Sequence, residues 1–380
     1  MPLLRKIFLM SVLLGCVDQK ASYVNAFKDV KRAEERSDGL YNIICHDGSL
    51  EFGVSLQEML NDEVCEGGGN PDPDPDPDPD PDPDPDPDPD PDPDPDPDPD
   101  PDFKSFQTYC QSLDRFPDER PLIEALSREF STTDCAEMGR LIKSETSLFL
   151  VGHGITSIKP LHEATQLSSI RLSNNEISDL KPLKKLTSLE TLYLIDNQIS
   201  SLEGLEDLGN LKYLQIRNNL VTSLAPLSKI EKLIVLNAEN NRITGLKPLQ
   251  GLASLETLVL NGNQVEDLAG LDGLSRLNTL NLTQNNLTNI EPLRSLKGLY
   301  YLALDRNNIE DLSPLSDTTD IEILMISNNP IRSLIPLSPL IYLRSFTAEQ
   351  ILLGNSVPKN GANCPTGPSI AMVLREFCLN

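Results

Sequence analysis

The chain has 380 residues and a formal net charge of −26, but sixteen aspartates of one Pro-Asp tract leave only −10 on the rest. No basic footprint of the kind that binds nucleic acid is present in the sequence. The sequence contains no run of about 20 apolar residues, which is the length that a membrane-spanning helix needs. These features exclude a nucleic-acid-binding or polytopic membrane protein.

Residues 1–15 predict an export signal. Arg5 and Lys6 form a positive region, and the apolar core that follows is too short to span a bilayer. Leu13-Leu14-Gly15-Cys16 then resembles the bacterial lipoprotein box, which implies that Cys16 is lipidated and becomes the mature N-terminus. The alternative is an ordinary signal followed by a chance cysteine. A lipidated Cys16 would anchor the chain to the bacterial cell envelope, and we expect the outer membrane or the cell surface.

Residues 16–66 form a small N-terminal segment. Its sequence predicts a polar helix over Lys20–Arg36, a strand over Leu40–Cys45 and a short helix over Ser55–Val64. So short a segment buries little core, so a disulfide between Cys45 and Cys65 would help to stabilise it. No function is indicated for this segment.

Seven cysteines are present, and six remain when Cys16 is set aside. An even number in an exported chain predicts disulfides, although six cysteines allow many pairings and nearness in sequence is only a guide. No C-x-x-C pair occurs, and three histidines are too few and too scattered for a zinc site. We therefore expect no metal and no cofactor. The local couples are Cys45 with Cys65, Cys110 with Cys135, and Cys364 with Cys378.

Residues 67–102 predict a disordered linker, because three glycines open a run of Pro-Asp units. Proline at every second position prevents helix and sheet ladders, and the aspartates repel one another. The tract could reach roughly 100 Å when extended. We interpret it as a stalk. The competing interpretation is a weak calcium-binding tract, but an extended chain does not gather several oxygens around one ion.

The next segment, residues 103–147, predicts a helical cap. Glu119–Phe130 has an amphipathic pattern, and a second short helix is expected over Cys135–Ile142. At the other end, residues 347–380 predict a C-terminal cap with a helix over Ile370–Phe377, tied by Cys364 and Cys378. The two caps would cover the open ends of the repeat array that lies between them, residues 148–346.

Within that array a 22-residue phrase repeats without insertion or deletion, and such a period is typical of a solenoid. Leucines alternate with other residues for the length of one short strand, as at Leu192 and Leu194. A proline column then limits helix on the return side, where a tight 3₁₀ or extended segment is expected, with Gly204 and Gly270 as substitutes. Each strand ends at an asparagine, whose amide can satisfy turn backbone groups. This structural ladder comprises Asn175, Asn197, Asn219, Asn241, Asn263, Asn285, Asn307 and Asn329.

The phrase LxxLxLxxNxIxxLxPL resembles the leucine-rich repeat of the internalin type, over about half of the chain. The resemblance implies an α/β-type leucine-rich repeat solenoid with a parallel concave β-sheet, a short 3₁₀ or extended return side and helical caps. It does not imply one function, because such solenoids bind many unrelated partners. Two turns depart from the pattern, with His153 and Ile351 in the Asn place, as terminal turns do.

A partner would bind on the concave face. The leucine pair of each strand faces the core, so the residues between them face the other way, and adjacent strands lie about 4.8 Å apart. Aromatic and aliphatic side chains ringed by polar ones are typical of interface anchors, although β-prone residues suit an exposed sheet regardless. The predicted partner-binding residues are Tyr193, Ile195, Tyr213, Arg217, Val235, Glu239, Val259, Tyr301, Ile323 and Met325.

These features favour a non-catalytic, exported, membrane-anchored binding protein, resembling an adhesin or a receptor, with a protein partner and no small-molecule substrate. The alternative is a structural envelope protein that bridges layers or scaffolds other components. An enzyme is disfavoured because the sequence has no catalytic triad motif, phosphate loop or metal motif.

Overall fold

This structure is a computed structural model, which describes residues 103–348, the backbone of residues 30–35, 41–45 and 50–54, and the two positions 372 and 374. The chain divides into two compact units, residues 1–98 and 99–380. The predictions for the export signal, Cys16 and the Pro-Asp tract lie outside the described residues.

Two of the three predicted cysteine couples also lie wholly or partly outside the described residues. Cys65 is outside them, so the couple of Cys45 with Cys65 stays a prediction. Cys364 and Cys378 are both outside them as well. The disulfide predicted between Cys364 and Cys378 is therefore neither confirmed nor contradicted by the structure, and it too stays a prediction.

The first unit contains a small antiparallel sheet with strand order β1-β2-β3. Its strands are β1 (Val30–Glu35), β2 (Tyr41–Cys45) and β3 (Leu50–Val54). The strand predicted over Leu40–Cys45 is confirmed, but the helix predicted over Lys20–Arg36 is wrong at its end, because Val30–Glu35 pairs with β2. Pairing with a neighbouring strand overrides a weak local preference for helix.

Three helices open the second unit. They are α1 (Phe106–Gln111), α2 (Arg120–Glu129) and α3 (Cys135–Ser144), so the two predicted helices are confirmed and α1 is an additional one. Asp134 caps α3, since its carboxylate accepts a hydrogen bond from Ala136 N at 2.8 Å. The predicted disulfide between Cys110 and Cys135 is confirmed, and it ties α1 to the start of α3.

The helices close the first turn of the solenoid with an apolar face. Leu122, Leu126 and Ile142 are fully buried in the same hydrophobic cluster as the leucines of the first repeats. A buried carboxylate adds a polar attachment, because Glu119 accepts from the Ser157 hydroxyl at 3.1 Å and pairs with Lys159 Nζ at 3.3 Å. Packing and this charged contact together fix the cap on the solenoid.

Ten parallel strands form one sheet among the described residues, in strictly sequential order. Neighbouring strands pair residues that lie 22 positions apart, as Leu192 does with Leu214. The predicted solenoid is thereby confirmed. The strands are β4 (Ser147–Phe149), β5 (Ser169–Arg171), β6 (Thr191–Tyr193), β7 (Tyr213–Gln215), β8 (Val235–Asn237), β9 (Thr257–Val259), β10 (Thr279–Asn281), β11 (Tyr301–Ala303), β12 (Ile323–Met325) and β13 (Ser345–Thr347).

The return side consists of short 3₁₀ helices, as predicted, each with proline at its second position. Proline suits the first turn of a helix because its missing N–H would have no intrahelical partner there. These helices are Lys159–Glu163, Lys181–Leu183, Ala225–Leu227, Lys247–Leu249, Glu291–Ser295, Ser313–Asp317 and Ile335–Leu337.

Two turns carry glycine in place of this proline, and both glycines are required by the backbone. Gly204 and Gly270 have φ values of 105° and 106°, where L-residues are strained. A Cβ on Gly204 would lie 2.4 Å from the carbonyl oxygen of Leu180, and one on Gly270 would lie 2.3 Å from that of Leu246. The return side therefore uses a proline solution in most turns and a glycine solution in these two.

Candidate functional site: the concave face of the sheet

A buried column of asparagines fixes the ends of eight of the ten strands. In Asn219, for example, the amide nitrogen donates to the carbonyl oxygens of Leu194 at 2.8 Å and Ile216 at 3.1 Å, while Oδ1 accepts from Ile199 N at 3.0 Å. Each amide thus bonds its own turn and the preceding one. We call the eight residues the Asn column: Asn175, Asn197, Asn219, Asn241, Asn263, Asn285, Asn307 and Asn329.

The residue before each member of the Asn column has left-handed backbone geometry, with φ between 51° and 69°. Asn, Asp and Gly tolerate this region best, and they occupy six of the eight places. Some of the side chains bond to one another, since Asn218 Nδ2 donates to Asp196 Oδ1 at 2.6 Å and Asn240 Nδ2 donates to Asn218 Oδ1 at 2.9 Å. We call this set the left-handed column: Asn174, Asp196, Asn218, Asn240, Gly262, Gln284, Arg306 and Asn328.

The two columns hold the strands in register. The side chains that alternate with the core leucines therefore form three rows along the concave face, which pass through Thr191, Tyr193 and Ile195 in the turn of β6. At the N-terminal end of this face, Arg171 lies between two aromatic rings. Its guanidinium carbon is 4.6 Å from the ring centre of Phe149 and 5.4 Å from that of Tyr193, which are cation–π distances. Phe149 is 48% exposed. Burial raises the pKa of Tyr193, and the charge of Arg171 opposes that rise.

In the middle of the face, side chains are small or polar and cover one another. Val235, Val259 and Thr279 are each at most 2% exposed. Asn237 and Asn281 are also buried, and their Oδ1 atoms accept hydrogen bonds from the backbone nitrogens of Glu239 and Thr283. In contrast, the side-chain oxygens of Gln215 and Asn261 are buried without a hydrogen-bond partner among the described residues.

Near the C-terminal end, Tyr301 is buried and its hydroxyl donates to Met325 Sδ at 3.4 Å. Burial raises the pKa of this tyrosine, as does the nearby carboxylate of Asp305. Asp305 accepts from Ser327 N at 2.5 Å. Burial also raises the pKa of Asp305, while the hydrogen bonds from Ser327 lower it by less.

The structure brings the ten predicted partner-binding residues onto one face, but not all of them are exposed as expected. Ile195, Val235, Val259 and Tyr301 are buried, because strands about 4.8 Å apart place large side chains in contact with their neighbours in the same row. The other six are partly exposed: Tyr193, Tyr213, Arg217, Glu239, Ile323 and Met325. Their role in binding stays a prediction.

Sequence reasoning missed Phe149 and Arg171, which extend the face by two turns. Counting back 22 and 44 residues from Tyr193 would have found both. The two histidines of the first repeat have structural contacts: His153 N donates to Asn175 Oδ1, and the ring of His162 contacts Lys159 O and Phe103.

Within residues 103–348 and the other described positions, no group of three or more His, Cys, Asp or Glu side chains is arranged to hold a metal ion. In the same part of the chain, none of the helices combines the length and apolar character needed to cross a bilayer.

Comparison with known families identifies the repeats. The family model described as Leucine Rich repeats (2 copies) matches residues 187–229 and 231–273. A search of curated protein sequences finds no match.

Solved structures similar to this chain include bacterial and plant proteins. Internalin C2 from Listeria monocytogenes has 30% identity and a TM-score of 0.50, over 55% of this chain and 92% of that chain. An internalin F from the same species has 24% identity and a TM-score of 0.43, over 61% and 84%. The ectodomain of a plant receptor kinase from Arabidopsis thaliana, in complex with Casparian strip integrity factor 2, has 22% identity and a TM-score of 0.50, over 55% and 27%.

Proposed function

We propose that this chain, which carries leucine-rich repeats, is a non-catalytic binding protein that presents its concave face to a protein partner at the bacterial cell surface. The observation that carries the proposal is the group formed by Phe149, Arg171, Tyr193 and Tyr213 at one end of that face. Large aromatic and arginine side chains that are partly exposed and held on rigid strands are the usual anchors of protein interfaces.

Rigidity supports the same interpretation. The Asn column bonds every turn to the next beneath these side chains, so they lose little conformational freedom when a partner binds. The likeness to internalin C2, at 30% identity, supports the leucine-rich repeat fold on which this face is built. In this proposal the lipid on Cys16 anchors the chain and the Pro-Asp tract holds the solenoid away from the membrane.

Protease shaving of intact bacterial cells tests surface display. Cells expressing the full chain should release a solenoid fragment when protease is added outside, while a Cys16→Ser variant should lose its attachment to the membrane. If the solenoid is protected until the outer barrier is broken, its partner lies within the envelope and the scaffold function replaces the surface function.

A double variant tests the binding face. Saturable binding of the soluble Cys16→Ser chain to whole cells or to envelope fragments should weaken at least tenfold with Tyr193→Ala and Tyr213→Ala, because two anchors are lost. The matched control is Tyr342→Ala, which removes an exposed tyrosine of the last turn outside the ten strands. Equal binding by the double variant and its parent would move the site away from the concave face.

A further inference from the structure

We propose that the partner contributes an extended peptide segment, whose main-chain N–H groups donate to the side-chain oxygens of Gln215 and Asn261. This inference rests on the proposed function, because it names the chemistry of the partner that the concave face receives. It is carried by two hydrogen-bond acceptors that have no partner in the described part of the chain.

The unpartnered acceptors stand out against equivalent amides on the same face. The Oδ1 atoms of Asn237 and Asn281 each accept a backbone N–H two residues further along the chain, at 3.1 and 3.0 Å. Gln215 is only 4% exposed, yet its Oε1 has no hydrogen bond to any described residue. Asn261 is partly exposed as a residue, but its Oδ1 atom is buried and likewise has no hydrogen bond to a described residue. A buried acceptor without a hydrogen bond has lost its hydration with nothing in exchange, and a donor from a partner would offset that loss.

The separation of the two residues fits an extended chain. Strand β8 lies between the strands β7 and β9, and Asn261 lies two residues beyond the register partner of Gln215, which is Val259. Two strand spacings and two residues of rise place their backbone positions about 12 Å apart. In an extended peptide, alternate N–H groups point the same way, so those of residues i and i+4 lie about 13 Å apart.

The chemistry of the surroundings favours a peptide main chain over a strongly charged ligand. The rows of the concave face around these amides carry Arg171 and Arg217 together with Glu239 and Asp305, so positive and negative charges balance. Amide side chains both donate and accept, which matches the alternating donors and acceptors of a peptide backbone. Tyr193 and Tyr213 supply apolar area beside Gln215 for the side chains of such a segment.

Both oxygens are shielded from solvent, so binding requires the amides to rotate toward the ligand. Glutamine and asparagine do this at small cost because the terminal torsion of an amide side chain is broad. Since neither oxygen bonds to another described residue, no such bond has to be broken first. The free protein would thus carry two unsatisfied acceptors that the bound segment satisfies.

Selection from a random library of linear peptides on phage, against the immobilised Cys16→Ser chain, tests the inference. Fluorescence anisotropy should show that the enriched peptides bind to the chain. Gln215→Met should lower their affinity about tenfold, because one hydrogen bond is lost. Asn261→Leu should have a similar effect. The matched control Gln264→Met changes an exposed glutamine outside the three rows and should leave the affinity unchanged.

The stability of the same variants separates binding from folding. Gln215→Met removes a buried acceptor that has no partner among the described residues, so its midpoint of urea unfolding should equal or exceed that of the parent. If a variant lost affinity only because it was partly unfolded, its midpoint of urea unfolding would be lower than that of the parent.

Several results would overturn the inference. These are failure to enrich any linear peptide, enriched peptides that bind Gln215→Met and Asn261→Leu as tightly as the parent, or a glycan array that gives the Gln215-dependent binding instead. The proposed function is judged separately. Cell binding that is lost with Tyr193→Ala and Tyr213→Ala, but kept with Gln215→Met and Asn261→Leu, would retain the concave face as the site and reject the extended segment.

Discussion

The Asn column and the left-handed column lie side by side in the sequence, yet they differ in how uniform their residue types are. Between the terminal turns, where His153 and Ile351 stand in the Asn place, all eight turns carry asparagine there. Each amide donates to two carbonyl groups and accepts from one N–H in a buried turn, as Asn219 does. The left-handed column contains five residue types, including Gln284 and Arg306. A requirement for side-chain hydrogen bonds is therefore stricter than a requirement for backbone conformation.

Removal of one amide should give the largest effect. Asn219→Ala leaves buried carbonyl and N–H groups of two turns without partners, so we expect the free energy of unfolding to fall by about 3 kcal/mol. The neighbouring Asn218→Ala retains those bonds and loses only the more exposed side-chain bonds to Asp196 and Asn240. It should cost about 1 kcal/mol, mainly for the left-handed backbone. Urea unfolding followed by tyrosine fluorescence measures both, since the chain has no tryptophan. Similar losses for the two variants would contradict the distinction.

The left-handed column should also accept improvement, with a smaller effect of opposite sign. Gln284 has φ 58°, so Gln284→Gly relieves strain and should raise the free energy of unfolding by up to about 1 kcal/mol. Gln264→Gly is the matched control, because Gln264 is not among the residues with positive φ, and glycine there should lower stability by about 0.5–1 kcal/mol. The same unfolding experiment checks both, and a destabilised Gln284→Gly variant would refute the strain argument.

The smallest effect concerns Asp305, which precedes the left-handed Arg306. Because burial raises its folded pKa above the ordinary value of 3.8, Asp305 favours folding most when protonated, and this contribution is lost as the pH rises through the folded pKa. Asp305→Asn keeps an acceptor for Ser327 N and removes the partly buried charge. Its unfolding midpoint should exceed that of the parent at neutral pH, and the difference should shrink below pH 3.8.

Asp311 supplies a control with the opposite sign. The hydrogen bonds from the hydroxyl and the backbone N of Ser313 hold its pKa below the ordinary value of 3.8. Its stabilising contribution is therefore present above that value and is lost as the pH falls through the folded pKa. Asp311→Asn should lower the unfolding midpoint at neutral pH and converge with the parent in acid. For each variant, the difference in unfolding midpoint from the parent is followed against pH. If this difference changed with pH in the same direction for both variants, these two carboxylates would not set the pH dependence of stability.

The solenoid was predictable from the sequence because its contacts follow one spacing. A leucine such as Leu214 recurs every 22 residues and pairs with its counterparts in the next turns, so the repeat alone specifies the strand register. The proline column likewise predicts the 3₁₀ return, since proline limits which backbone conformations are allowed. Local rules and long-range contacts agree in this part of the chain.

Other features depended on contacts that no single repeat reveals. The burial of Val259 comes from its neighbours in adjacent turns, and the strand Val30–Glu35 comes from pairing with β2. The left-handed column had a visible signal in the Asn-Asn pairs that begin at Asn174 and Asn218, but Gln284 and Arg306 obscure it. The unpartnered oxygen of Gln215 requires atomic positions.

The constant spacing of the Asn column also has a consequence for inheritance. Every amide bonds to groups 20 and 25 residues earlier, as Asn241 does with Val221 and Ile216. If the unit of residues 235–256 were deleted, Asn263 would meet those same two groups, and no bond type would be lost. Duplication or loss of a whole 22-residue unit in the gene would therefore change the length of the solenoid and the side chains it displays. The hydrogen bonds of the Asn column in the remaining turns would be kept.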